Sequence, residues 1–81
     1  MPQYFFHVRD HNKVFADEEG QELPDVDAAE IEAAEAAMAI GRDLLPSRRG
    51  GGLVIDVLNE RRERVLTVNV DLRIARHTVQ T

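Results

Sequence analysis

The 81-residue chain has no cysteine, which removes disulfide frameworks, thiolate chemistry and zinc–thiolate sites from consideration. Long hydrophobic runs are missing too. The longest, Ala36 to Ile40, is far too short to span a bilayer. Residues Met1 to Lys13 show neither a basic start leading into an apolar stretch nor a small-residue cleavage site, so a soluble, cytoplasmic protein is expected, with no membrane contact. No internal repeat or low-complexity tract is present beyond Gly50-Gly51-Gly52. A chain of this length makes one domain, residues 1–81, and buries only ~60–65% of the surface exposed by its unfolded form. Its core must be small.

Basic side chains are absent from Asp17 to Glu35, and that stretch holds nine of the fifteen carboxylates. The net charge of −5 is therefore uneven: −9 over this segment, +1 before it and +3 from Ala36 onward. A negative mean field opposes general attraction to nucleic acid or anionic lipid and leaves room only for a local arginine patch in the second half. The acidic run also has a structural explanation. Asp25 is the preferred N-cap of a helix, with Pro24 just outside it, and Asp27 with Glu30 three residues on is a rival capping pair. Carboxylates here complement the positive helix end, each contributing ~0.3–1 kcal/mol at low salt.

Along the chain, Pro2 to Arg9 alternates Tyr4, Phe6 and Val8 against Phe5, His7 and Arg9, the period of a strand. Asp10-His11-Asn12 has turn chemistry, and Lys13 to Ala16 returns as a short second strand. A helix then runs from the Asp25 cap to about Leu45, where Pro46 and the glycine triplet stop it. Val26, Ala29, Ala33, Ala36, Ala37, Ile40 and Leu44 fall on one face, thin enough to lie close on a sheet. Leu53 to Leu58 and Arg64 to Val70 are two more strands around the polar turn Asn59 to Glu63. Residues 72–81 are expected to fray, although Leu72 and Ile74 continue the alternation. The predicted fold is α+β: two layers in the order strand–strand–helix–strand–strand, an antiparallel-rich four-stranded sheet with one long helix on one face.

The opening M-P-x-Y-F-F-H (Met1, Pro2, Tyr4 to His7), the run D-E-E-G-x-E-L-P-D (Asp17 to Gly20, Glu22 to Asp25) and the alanine-rich helix with its closing hairpin resemble a family of short, uncharacterised bacterial proteins. The likeness covers residues 1–70. It implies a fold type and a bacterial cytoplasmic setting but no activity, because the family is a domain of unknown function. One departure is at the second hairpin turn, where the family has a glycine and this chain has Arg61-Arg62; a tight two-residue turn is thereby put in question. A weaker likeness joins Phe15 to Gly20, Asp25 and the Glu-Ala-rich helix to HicB-like antitoxins, which pair an acidic α/β domain with a basic toxin. The spacer length differs.

Candidate chemistry is thin. The acidic loop Asp17, Glu18, Glu19 and Glu22 lacks the D-x-D-x-D-G…E spacing with which one loop wraps a hard cation, so no metal is expected. His7, His11 and His77 fall in a strand, a turn and the tail, without an i, i+4 pair. His7 shares a sheet face with Asp56 and Thr67 if their strands are neighbours, which allows a His–Asp contact but supplies no nucleophile. Ser47 has no G-x-S-x-G context. Arg48-Arg49-Gly50-Gly51-Gly52 leaves a helix and enters a strand, the reverse of a phosphate loop. Arg61, Arg62 and Arg64 lack interleaved aromatics. No catalytic residue, cofactor or metal site is assigned.

Spare apolar surface is the stronger signal. On the helix side away from the alanine face, Ile31, Ala34, Met38 and Leu45 follow heptad spacing. On the sheet face away from the helix, Phe5, Phe15, Val54, Leu58 and Val65 are expected together. One helix cannot cover both sides of a sheet, and small domains seldom expose large contiguous apolar patches. The expectation is a non-catalytic protein-binding or self-associating module, a homo-oligomer or a protein's partner. The alternatives are a regulatory nucleic-acid binder using Arg48, Arg49, Arg61, Arg62 and Arg64, and an antitoxin-like partner of a basic protein.

Overall fold

The computed structural model describes residues 1–11 and 13–79; Asn12 of the expected first turn and residues 80–81 of the expected frayed end lie outside them. Its elements are β1 (Gln3–Asp10), β2 (Lys13–Phe15), β3 (Gln21–Glu22), α1 (Val26–Arg48), β4 (Gly51–Leu58) and β5 (Arg64–Leu72). One antiparallel sheet has the order β2-β1-β4-β5, with β3 also on β1. The helix lies on one face, as the two-layer α+β pattern predicts. The sheet has five strands where four were expected.

The extra strand follows from how β1 fills its outer edge. Val8, Arg9 and Asp10 pair with β2, and Gln3 and Tyr4 pair with β3. Between them the loop bulges away, and Asp17 inserts its carboxylate: Oδ2 accepts the Phe6 amide at 3.1 Å, and Oδ1 accepts the Glu19 and Gly20 amides at 3.2 and 3.1 Å. A side chain thus replaces the missing ladder bond. Gly20 takes φ +75°, and a Cβ there would sit 2.9 Å from the Phe5 ring.

Asp25 caps α1 as predicted, its carboxylate accepting the Ala28 amide at 2.9 Å. Asp27 lies in the first turn and complements the dipole. The helix outlasts its expected end at Leu45 by one turn. Pro46 deletes one amide, yet the chain closes beyond it with Gly50 N–H donating to Leu45 O and Arg49 N–H to Pro46 O, both at 3.1 Å, a Schellman arrangement. That extra turn carries Arg48 to Asp10 of β1, which accepts both guanidinium nitrogens.

The core consists of Tyr4, Ala29, Ala33, Ala37, Leu53, Ile55 and Val57, flanked by Phe6, Val8, Leu23, Ile40 and the inner face of β5. Along α1 the buried residues are Ala29, Ala33, Ala37, Gly41 and Leu45. This i+4 row advances about 40° per step, because four residues exceed one 3.6-residue turn. Over four steps it winds about 160° around the helix, following a twisted sheet. Gly41 completes the approach to β5: a Cβ there would lie 3.1 Å from Val70 Cγ1.

The row sets a clear mutational contrast. Ala33→Leu should cost about 1–3 kcal/mol by overpacking, whereas Ala34→Leu on the exposed side should stay within about 0.5 kcal/mol. Asp25→Ala should cost about 1 kcal/mol through the lost cap. Urea midpoints measured at unchanged m-value check all three.

Candidate functional site

The exposed side of α1 carries the first candidate surface. Ile31 is 59% exposed and Met38 63%, and Ala34 lies exposed between them. A shallow depression bounded by Ala34, Glu35, Met38, Ala39 and Arg42 runs along this side. Asp27 and Glu30 flank the stripe at its N-terminal end, and Glu35 and Arg42 lie beside Met38. Leu45 does not belong here. It is 2% exposed, because the winding i+4 row brings the buried direction round to its position by the last turns.

The sheet face away from the helix is more polar than expected. Phe5, Val54, Leu58 and Val65 belong to it, but Phe5 is only 6% exposed. The Arg62 guanidinium lies over its ring, 4.0 Å from the centroid, a cation–π contact that also shields the ring from water. Arg62 takes φ +65°, a left-handed conformation that glycine adopts more readily. The turn is a three-residue loop, with Arg62 N–H donating to Asn59 O and Asn59 N–H to Glu63 O. It is not a tight two-residue turn, which the Arg61-Arg62 pair puts in question. Phe15 is on the other side. It pairs directly with Val8, and directly opposed residues share a face. With Val8, Ile40, Leu44 and Leu53 it lines a groove of about 630 Å³ beside the helix, rimmed by Lys13 and Arg48. Its neighbour Val14 takes the open face.

At the centre of that open face, His7, Asp56 and Thr67 form a cross-strand row. Thr67 Oγ1 donates to Asp56 Oδ1 at 2.8 Å and Arg9 Nε to Oδ2 at 2.7 Å, with Arg64 Nη1 3.9 Å from Oδ1. The His–Asp neighbourhood anticipated from sequence is present, but its chemistry is different. A nucleophile needs the histidine between hydroxyl and carboxylate; here the carboxylate is between them, already filled by Arg9 and Thr67. The His7 Nε2 atom is buried without a hydrogen-bond partner. Among the described residues no three His, Asp or Glu side chains converge into a metal-binding group.

The arginines do not form one patch. Arg48 is engaged by Asp10 at one end of β4, while Arg61, Arg62 and Arg64 surround the hairpin at the other. The eight residues of β4 separate these ends by roughly 26 Å. No helix is long and apolar enough to cross a membrane among the described residues.

Three carboxylates titrate below their ordinary value. For Asp10 the cause is the hydrogen-bonded Arg48 guanidinium, which outweighs burial. Burial pushes Asp17 up, but the amides of Gly20, Phe6 and Glu19 together hold it down. Burial likewise opposes ionisation of Asp56, and Arg9 with Thr67 overcomes it. Each lowered pKa contributes stability that is present above the unfolded carboxylate value and lost as pH falls through the folded one. Stability should therefore hold from neutrality to about pH 5 and decline below about pH 4. Urea titrations from neutral to acid pH check this, and Asp17→Asn should lower neutral stability and flatten part of the decline.

The family model for a domain of unknown function, DUF6894, matches residues 3–71, so the chain belongs to that family. No curated protein and no solved structure matches it.

Proposed function

For this member of the family we propose a small non-catalytic module that acts by protein contact, in the cytoplasm, through the outer stripe of α1 and by self-association. The observation that carries the proposal is the placement of Ile31, Ala34 and Met38. A helix whose packing needs are met by alanine presents large apolar side chains to solvent on its other side. The acidic residues beside the stripe specify the chemistry of a partner: an apolar centre ringed by basic groups, held by burial and steered by charge. That is the antitoxin-like arrangement, with the helix N-terminal half as the contact.

The nucleic-acid alternative rests on Arg48, Arg49, Arg61, Arg62 and Arg64, and it loses support from their separation and from the engagement of Arg48 and Arg62. Catalysis at the His7, Asp56 and Thr67 row is disfavoured by the order of the three groups.

Calorimetric titration with a basic amphipathic helical peptide tests the contact. Binding should weaken as salt rises, and Ile31→Glu with Met38→Glu should weaken it by about tenfold or more while thermal stability stays near wild type. Equal binding by the double variant overturns the proposal.

A further inference from the structure

The two margins of the sheet are built differently. The β1 margin is short and interrupted: three residues of β2, two of β3 and the Asp17 carboxylate occupy it. Such breaks are how natural sheets avoid edge-to-edge pairing. The β5 margin has none of this. Arg64–Leu72 runs nine residues, and its centre, Val65 to Val70, contains no proline, glycine or charge. A register irregularity is confined to the hairpin end, opposite Val57 and Leu58. Beneath this strand coverage is incomplete: Leu66, Val68, Val70 and Leu72 are only half-buried, whereas Leu53, Ile55 and Val57 on β4 are fully buried. A shallow groove of about 200 Å³ follows the margin, lined by Met38, Leu45, Val70 and Leu72 among others.

Hydrogen-bond alternation identifies the open backbone groups. The Phe6 amide points away from β4, to Asp17, so Phe5, His7 and Arg9 point toward β4. Carried through the registers of β4 and β5, this directs Leu66, Val68 and Val70 inward and leaves the amides and carbonyls of Thr67, Asn69 and Asp71 facing out.

We propose that β5 pairs antiparallel with β5 of a second copy about a two-fold axis at Asn69, joining the two sheets into one. This builds on the self-associating part of the function proposed above but uses a different surface from the Ile31 end of the helix stripe, the two meeting only at Met38. In this register Asn69 faces its own copy and Thr67 faces Asp71, so every outward group of the three residues is paired. On the helix side Leu66 meets Leu72 and Val68 meets Val70, apolar on apolar. No like charges oppose each other: Asp71 lies across from Thr67 and Arg73 from Val65. A two-fold interface must be self-complementary, and this strand meets that condition in backbone, apolar and charged groups together.

Analytical ultracentrifugation of the full chain should show a dimer. Asn69→Pro removes an outward amide and no bond to β4, so it should raise the dimer dissociation constant by about tenfold or more with the circular dichroism melt retained. Should that variant misfold, the cysteine-free background supplies a second measurement. Asn69→Cys faces its own copy with the Cα atoms about 5.5 Å apart and should be joined into a covalent dimer by a short bifunctional thiol reagent, whereas Thr67→Cys, offset by four residues from its own copy, should be joined far more slowly. Ile31→Glu should leave the dimer intact. A monomer at millimolar concentration, a dimer that Asn69→Pro leaves unchanged, cross-linking of Thr67→Cys as fast as Asn69→Cys, or a β5 margin occupied by a foreign strand would each overturn the pairing. A dimer abolished by Ile31→Glu and kept by Asn69→Pro would overturn it while leaving the helix-stripe function standing.

Discussion

The close seating of α1 on the sheet governs the rest of the molecule. Ala29, Ala33, Ala37 and Gly41 give the helix almost no side-chain thickness where it crosses the strands. The apolar bulk of the core therefore comes from the sheet, from Leu53, Ile55 and Val57 above all. Two consequences follow from burying so little helix side chain. Ile31 and Met38 are left on its solvent side while Ile40 and Leu45 pack inward, and polar bonds fix the two ends of the helix: the Asp25 cap closes its first turn and the Arg48–Asp10 pair ties its last turn to β1.

Polar groups do comparable work on the opposite face. A sheet with one helix leaves its second side to water, and here that side carries Asp56 held by Thr67 and Arg9, His7 beside it on β1, and Phe5 roofed by Arg62. The open face therefore presents charged and polar groups at its centre, and apart from Val14 the uncovered apolar area lies on the helix exterior, in the Phe15 groove and along β5.

Local signals in the chain read true. Alternation located β1, the Asp25 cap marked the start of α1, and the alanine spacing marked its buried side, although Val26, expected on that face, is exposed. The misassignments share one cause, which is dependence on long-range geometry. Phe15 changed faces because its orientation is set by pairing with Val8 across the turn, and strand alternation alone does not fix that register. Leu45 turned inward because the buried row winds with the twist of the sheet, information that belongs to the strands beneath it. The two residues of β3 carry no pattern at all; they are strand only because Gln3 and Tyr4 lie beside them. The roles of Asp17 and Arg48 needed the fold for the same reason, since each acts on β1 from a distant part of the chain.

The strand order has a bearing on biosynthesis. β1 is made first yet lies in the interior of the sheet, and its inner neighbour β4 is synthesised only after the whole of α1. The pairing of Phe5 and Phe6 with Leu58 and Val57 therefore closes a long loop at a higher entropic cost than the local pairings of β1 with β2 and β3, which need a shorter length of synthesised chain.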